Sequence, residues 1–205
     1  MFATKEKKER SLGARLGLKP HRCLSPKCAY VRRPHRPGMH GKARRTMSEF
    51  AEQLQEKQRV RAVYGVREAP LEKLFREAQK HRGITGVTLL KFLEQRLDNV
   101  VYRCGFAPSR SVARELVSHG HIDVKGRRVT IPSYRVRAGD VVSVHPSSRE
   151  HPRLRELKAS LDKYAPPSWL LVDAEKIEGT VKSLPAPADT ETIFDVGLVV
   201  DYYSK

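Results

Sequence analysis

This sequence predicts an α+β fold: a basic N-terminal arm, a helical bundle, and an inserted α/β module with a small, mainly antiparallel sheet. Three observations lead there. Apolar residues between 46 and 92 recur at helical spacing with short connections between the runs. Between 93 and 144 helical periodicity gives way to strand alternation. Residues 1–45 hold few large apolar side chains but many Pro, Gly and basic residues, a composition too poor in apolar surface to build a core of its own.

The helical part opens at a capping-box spacing, Thr46-x-x-Glu49, and runs to about Tyr64, where Gly65 ends it. Phe50, Leu54 and Val60 mark its buried side. Pro70 suits the first turn of the next helix, whose Leu71, Leu74, Phe75 and Ala78 line one face up to Gly83. Thr85-Gly86 restarts a helix that feeds the module. There Leu93, Leu97, Val100, Val101 and Cys104 form one stripe, read as a continuous helix that Gly105 breaks. Pro108-Ser109 opens another helix, with Ser109 as its cap and Val112, Ala113, Leu116 and Val117 as its buried face. Gly120 supplies a left-handed exit into the strand His121–Val124. Lys125-Gly126 is a turn dipeptide, Val129 and Ile131 read as a second strand, and Gly139-Asp140 turns the chain into Val141–Val144. Leu154, Leu157 and Leu161 space a further helix, ended before Pro166-Pro167. Trp169–Val172 and Thr180-Val181 read as strands, and Leu198–Val200 is a last apolar run. Pro185 and Pro187 mark a linker. The expected division is therefore a 1–45 arm, a 46–92 helical domain joined by a returning 188–205 segment, and a 93–187 module with an additional helix and strands.

The net charge of +17 and pI of about 10.1 call for a polyanionic partner, either nucleic acid or an acidic membrane surface. The charge is unevenly spread: residues 1–47 carry +12, 48–90 carry +2, 91–149 carry +6 and 150–205 carry −3. Anion binding is expected of the arm and the module, and the acidic C-terminal quarter suits a protein neighbour. No apolar run approaches the ~18 residues of a membrane span, and the N-terminus lacks a signal-peptide core. Three cysteines, an odd number, argue against a disulfide framework and for a reducing compartment.

Arg110 and Arg114 lie four apart on one helix face, and Lys125, Arg127 and Arg128 crowd one hairpin tip. By pattern alone these are equally a grip on one partner or a solvated basic face. The series Arg96-Leu97-Asp98, Gly105, Ser109-Arg110, Ala113-Arg114, Gly120-His121, Gly126, Pro132-Ser133 and Gly139-Asp140 resembles the RNA-binding module of the ribosomal protein S4 family. Lys125 stands where that module usually has asparagine. From about Cys23 to the end, the flanks are similar to the bacterial members. The matching segments are Arg33–Gly41, Gln55–Gln58, Tyr64-Gly65-Val66, Gly83–Gly86, Pro167-Ser168-Trp169 and Tyr202–Lys205.

The resemblance implies a structural rRNA-binding protein of the small (30S) subunit. Such proteins bind the 5′ domain of 16S rRNA, nucleate assembly of the subunit body and, with proteins S5 and S12, influence translational accuracy. It also implies contact with protein S5 and with mRNA near its entry channel, a cytoplasmic or organellar ribosome, and no membrane. Basic arms of this composition are common nucleic-acid contacts. The candidate RNA-binding residues are Arg22, Lys27, Arg32, Arg33, Arg36, His40, Lys42, Arg44 and Arg45 in the arm, and Arg59 and Arg61 on the first long helix. In the module they are Arg110, Arg114, His119, His121, Lys125, Arg127 and Arg128.

Many members of the family complete a zinc knuckle with an earlier cysteine pair. Here Cys23 and Cys28 make only half of a tetrahedral site, and His21, His35 and His40 lack a standard spacing, so no cofactor is expected. Pseudouridine synthases carry a catalytic aspartate in an Arg-Leu-Asp setting beside a similar module. Asp98 nevertheless reads as a structural carboxylate, because no acid–base partners or catalytic domain accompany it. No P-loop, GxGxxG, HExxH or GxSxG is present. The alternatives, an RNA-modifying enzyme or a non-ribosomal rescue factor, would need a catalytic domain or little beyond the module.

Overall fold

The computed structural model describes residues 5–43, 46–148, 154, 157, 161, 164–186, 189 and 193–204. The chain divides into two compact units, Met1–Thr88 with Glu191–Lys205, and Leu89–Thr190.

The first unit holds α1 (Lys5–Leu12), α2 (Pro20–Cys23), α3 (Ala29–Arg32), α4 (Glu49–Tyr64), α5 (Glu68–Gln79), the start of α6 (Thr85–Glu94) and α9 (Val196–Ser204). The cap of α4 is Ser48 rather than Thr46: its Oγ accepts the Ala51 N–H at 3.3 Å, and Gly65 closes the helix at φ +63°. The C-terminal apolar run is helical, and α9 packs on α4 and α5. Phe75 stacks on Tyr203 at 4.9 Å, and Tyr64 meets Phe194 edge-on at 6.1 Å. Phe50, expected on the buried side, is 55% exposed and touches Tyr202 at 5.7 Å.

Residues 1–45, read as an extended arm, contain three short helices, with α1 packed on α3 and α4. Polar ties stand in for the apolar residues this segment lacks. Glu9 is fully buried and accepts the Leu18 N–H at 2.9 Å; Arg10 Nε donates to the carbonyls of Arg33 and His35 at 2.9 and 3.1 Å. Gln55 and Arg59 of α4 both donate to the carbonyl of Leu12, satisfying the open C-terminal end of α1.

Glu68 gathers α4 and α9. Lys57 Nζ lies 2.9 Å and the Tyr203 hydroxyl 2.7 Å from Oε1, and Arg61 reaches Oε2 at 2.9 Å. Burial pushes its carboxyl up, but the hydrogen bonds from Lys57 and Tyr203 and the charges of Lys57 and Arg61 outweigh it and hold Glu68 below the usual range. The stability it contributes is present above the unfolded carboxyl value of ~4.3 and is lost as pH falls through the lower folded value. Glu68→Gln should flatten the acid limb of a stability–pH profile below pH ~4, measured by urea unfolding.

The second unit holds the rest of α6, then α7 (Leu97–Arg103), α8 (Arg110–Ser118) and strands β1 (Ile122–Val124), β2 (Arg127–Arg128), β3 (Val141–Val144), β4 (Leu170–Asp173) and β5 (Glu178–Val181). The sheet runs in the order β2-β1-β3-β5-β4, every neighbour antiparallel. Val129 and Ile131, expected in a strand, lie past β2, and Ile131 is 59% exposed. The buried faces of α7 and α8 share a core with Ile122, Val142, Val144, Leu170 and Val181. Leu154, Leu157 and Leu161 are buried in it too, although the helix read through them falls largely outside the described residues.

The stripe from Leu93 to Cys104 is not one helix. At Arg96 the backbone extends (ψ 137°) and bridges Arg135, and Leu97 N–H donates to the Tyr134 carbonyl at 2.8 Å. The loop at 132–136 thus takes the backbone groups a continuous helix would have used, and α7 begins afresh at Leu97. That break turns Arg96 and Asp98 toward each other.

Gly179 of β5 lies directly over Cys104, whose thiol burial pushes up to about 12. A Cβ at Gly179 would sit 2.5 Å from Cys104 Sγ but 3.4 Å from its Cβ. Gly179→Ala should cost about 1–3 kcal/mol, and adding Cys104→Ala should recover part of it. Chemical denaturation of the single and double variants checks this complementarity.

Candidate nucleic-acid interface

The module's surface is built on a buried acid–amide scaffold. Asp98, at the first turn of α7, accepts from Arg96 Nε and Nη2 at 3.1 and 2.9 Å and from Arg114 Nε at 2.9 Å. Its Oδ1 also accepts the Asn99 N–H at 2.9 Å. The Asn99 amide donates to Glu94 Oε2 at 2.7 Å, and its oxygen accepts Arg110 Nε at 2.7 Å. Arg103 makes a two-point pair with Glu94 at 3.0 and 3.1 Å. Arg110 also lies over the Tyr102 ring at 4.6 Å. Arg110 and Arg114, expected simply to face a partner, are therefore tied into the fold.

The hairpin tip differs. Val124 pairs with Arg127, so Lys125-Gly126 is a two-residue turn with φ +51° and +73°. This is the left-handed geometry that favours asparagine or glycine at the first position. Lys125 tolerates it while its Nζ lies 2.6 Å from the buried carboxylate of Asp140. Arg127 and Arg128 are exposed side by side beyond it, and no described residue hydrogen-bonds or ion-pairs with either side chain. Gly120 allows the close approach of Arg128, whose Cδ would lie 3.1 Å from a Cβ there. His119 is exposed and meets His121 edge-on at 6.1 Å; His121 Nδ1 is 2.9 Å from Ser148 Oγ. His145 Nδ1 lies 2.8 Å from Asp123, a contact the sequence did not signal.

In the other unit the candidates divide the same way. Arg59 is bound to the Leu12 carbonyl and paired with Glu56, and Arg61 is paired with Glu68, so both hold the helices together. Arg36 reaches Met47 Sδ and Gln55 Oε1 at 3.6 and 3.5 Å. Arg22 pairs with Glu6 at 2.8 Å. Lys27, Arg32, Arg33, His40 and Lys42 are exposed, whereas Arg44 and Arg45 lie outside the described residues. Arg10, missed in the sequence because the arm shows no helical periodicity, faces the same cleft as Arg22 and Lys27.

Cys23 and Cys28 are buried as free thiols. Cys23 Sγ lies 3.7 Å from the Glu9 carboxylate, and no group of three or more metal-ligating side chains is assembled among the described residues. Burial first, and the Glu9 charge after it, push the Cys23 thiol up against the pull of a backbone hydrogen bond at Lys19. This donor set does not fit a tetrahedral thiolate site, which needs four ligands and deprotonated sulfur.

A donor-rich surface of Arg and Lys, anchored from behind by buried carboxylates, is that of a protein that grips nucleic acid by its backbone. Residues 3–94 match the family described as ribosomal protein S4/S9 N-terminal domain, and residues 95–142 match the S4 domain. Small ribosomal subunit protein uS4A of Symbiobacterium thermophilum is 50% identical over 94% of this chain and 93% of its own length. The uS4 proteins of Nitratidesulfovibrio vulgaris and Gloeobacter violaceus are each 48% identical, over 94% and 96% of this chain and 93% and 94% of theirs. The chain belongs to the ribosomal protein S4 (uS4) family, whose members are structural proteins and not enzymes.

Asp98→Asn should destabilise the second unit by about 3 kcal/mol or more, since it leaves two guanidinium groups without their shared carboxylate. A cooperative unfolding midpoint unchanged from the parent would refute that role.

Proposed function

We propose that this protein is a structural rRNA-binding component of the small ribosomal subunit, gripping the 5′ domain of 16S rRNA and nucleating the subunit body. The observation that carries the reading is the near half identity to uS4 proteins along almost the whole chain, with arginines at the hairpin tip whose side chains pair with no described residue. The candidate cations whose side chains pair with no described residue include Lys27, Arg32 and Arg33 in one unit and Arg127 and Arg128 in the other. Lys125, His40 and Lys42 add charge or donors beside them. Each neutralised phosphate releases counterions, so binding draws its strength from the solvent ions displaced. Folded RNA offers shape, phosphates and 2′-hydroxyls rather than readable base edges, which suits side chains that only donate.

Membership of the family supports the finer partners. Protein S5 suits the acidic C-terminal quarter, mRNA near its entry suits the basic surfaces, and with S5 and S12 the protein would influence translational accuracy. The setting is a ribosome, cytoplasmic or organellar. No described helix is long and apolar enough to cross a membrane.

Purified protein should protect a contiguous part of the 16S 5′ domain in a chemical footprint. Its affinity should fall by roughly 10³-fold between 50 and 200 mM salt. Arg127→Glu with Arg128→Glu should weaken binding at least about tenfold without moving the unfolding midpoint. Absence of protection at low salt, or sedimentation with free large subunits, would overturn the reading.

A further inference from the structure

In the first unit, Arg10, Arg22, Lys27, Arg32 and Arg33 line a single cleft of about 260 Å³, together with Ala29. It is formed by the last turn of α1, by α2, by the turn after it and by the end of α3. We infer that this cleft is a cradle for one phosphodiester of the bound RNA, reading the backbone at a single point; the inference rests on the rRNA-binding function proposed above.

Three observations support it. The first is the chemistry of the lining. Arginine and lysine only donate hydrogen bonds, whereas the edge of a nucleobase presents donors and acceptors together. Among the described residues the lining has no aromatic ring and no acceptor side chain, which fits an oxyanion better than the stacking face and mixed edge of a base. The second is preorganisation. Arg10 Nε is fixed on two backbone carbonyls at 2.9 and 3.1 Å, which sets the plane of its guanidinium group before any ligand arrives. Arg22 is steadied by Glu6 through its Nε at 2.8 Å.

The third is the absence of internal partners for the rest. The side chains of Lys27, Arg32 and Arg33 make no hydrogen bond or ion pair with any described residue. This contrasts with Arg59, Arg61, Arg96, Arg103 and Arg114, each of which is matched to a carboxylate. Bringing five cations into one small concavity, with Glu6 the only carboxylate paired to them among the described residues, is repulsive until an anion enters. Glu6 is then a competitor: a phosphate entering the cleft must share Arg22 with it.

Full-length protein should be tested with a 16S 5′-domain fragment and, separately, with inorganic phosphate read by chemical-shift perturbation at constant ionic strength. Arg10 is left unchanged because its carbonyl bonds hold the fold. Arg32→Gln with Arg33→Gln should lower RNA affinity at least about tenfold and abolish the phosphate shifts around 22–33. Lys73→Gln on α5 with Lys80→Gln just past its end removes the same charge from the same unit and should change RNA affinity by less than about threefold. Glu6→Gln should tighten binding more than Glu72→Gln, which makes the same charge change elsewhere. Equal losses in the two double variants, or phosphate shifts that survive Arg32→Gln with Arg33→Gln, would refute the cradle while leaving rRNA binding in place. Failure of the parent protein to bind the fragment would instead remove the function on which it rests.

Discussion

Everything in this structure depends on how an excess of positive charge is divided between the fold and its surface. A chain carrying +17 cannot scatter its guanidinium groups at random, because like charges packed close together oppose the compact state. A few buried acids solve the problem. Glu94, Asp98, Glu56 and Asp140 are all nearly inaccessible, and each holds at least one basic side chain. Once those arginines are neutralised from behind, the helices can approach. Among the described residues, no carboxylate pairs with Arg127 and Arg128 at the hairpin tip or with Lys27, Arg32 and Arg33 in the cleft near α3. The arginines that hold the fold are thus marked by the carboxylate behind them rather than by where they fall in the sequence.

Much of the architecture was legible because local signals agreed with one another. Ser109 caps α8 as expected, Gly65 and Gly120 take left-handed conformations, and the switch from helical to strand periodicity after Gly120 falls where the sheet begins. Two of the misreadings share one cause, a tertiary partner that local pattern cannot display. The stripe from Leu93 to Cys104 has flawless helical spacing, yet the 132–136 loop breaks it at Arg96 by offering its own carbonyls. The arm looked unable to fold because it lacks apolar bulk. Its helices rest instead on Glu9, Arg10 and donors arriving from α4, more than forty positions away.

The candidate site was legible in outline and blurred in detail for the same reason. Spacing placed Arg110 and Arg114 on one face, and that placement is correct. What spacing could not show is that the face is turned toward Asp98 and Asn99. Charge reversal at those two arginines would therefore disturb the scaffold as well as any contact with RNA. Arg127 and Arg128 have no such entanglement, which makes them the cleaner probes of the surface.

The hairpin shows how the two roles of charge meet in one residue. A lysine at φ +51° is a strained choice, because only glycine, asparagine and aspartate enter that region readily. Asparagine would relieve the backbone but would leave the buried carboxylate of Asp140 without its cation. Lysine accepts the strain and supplies the charge at 2.6 Å, with its side chain still 60% exposed. The Asp140 carboxylate in turn accepts the Arg137 N–H at 2.8 Å, and its main-chain carbonyl accepts the N–H of Val181 at 2.9 Å. Through those bonds the turn is tied to the centre of the sheet. The tip that presents Arg127 and Arg128 is consequently held from the strand behind it.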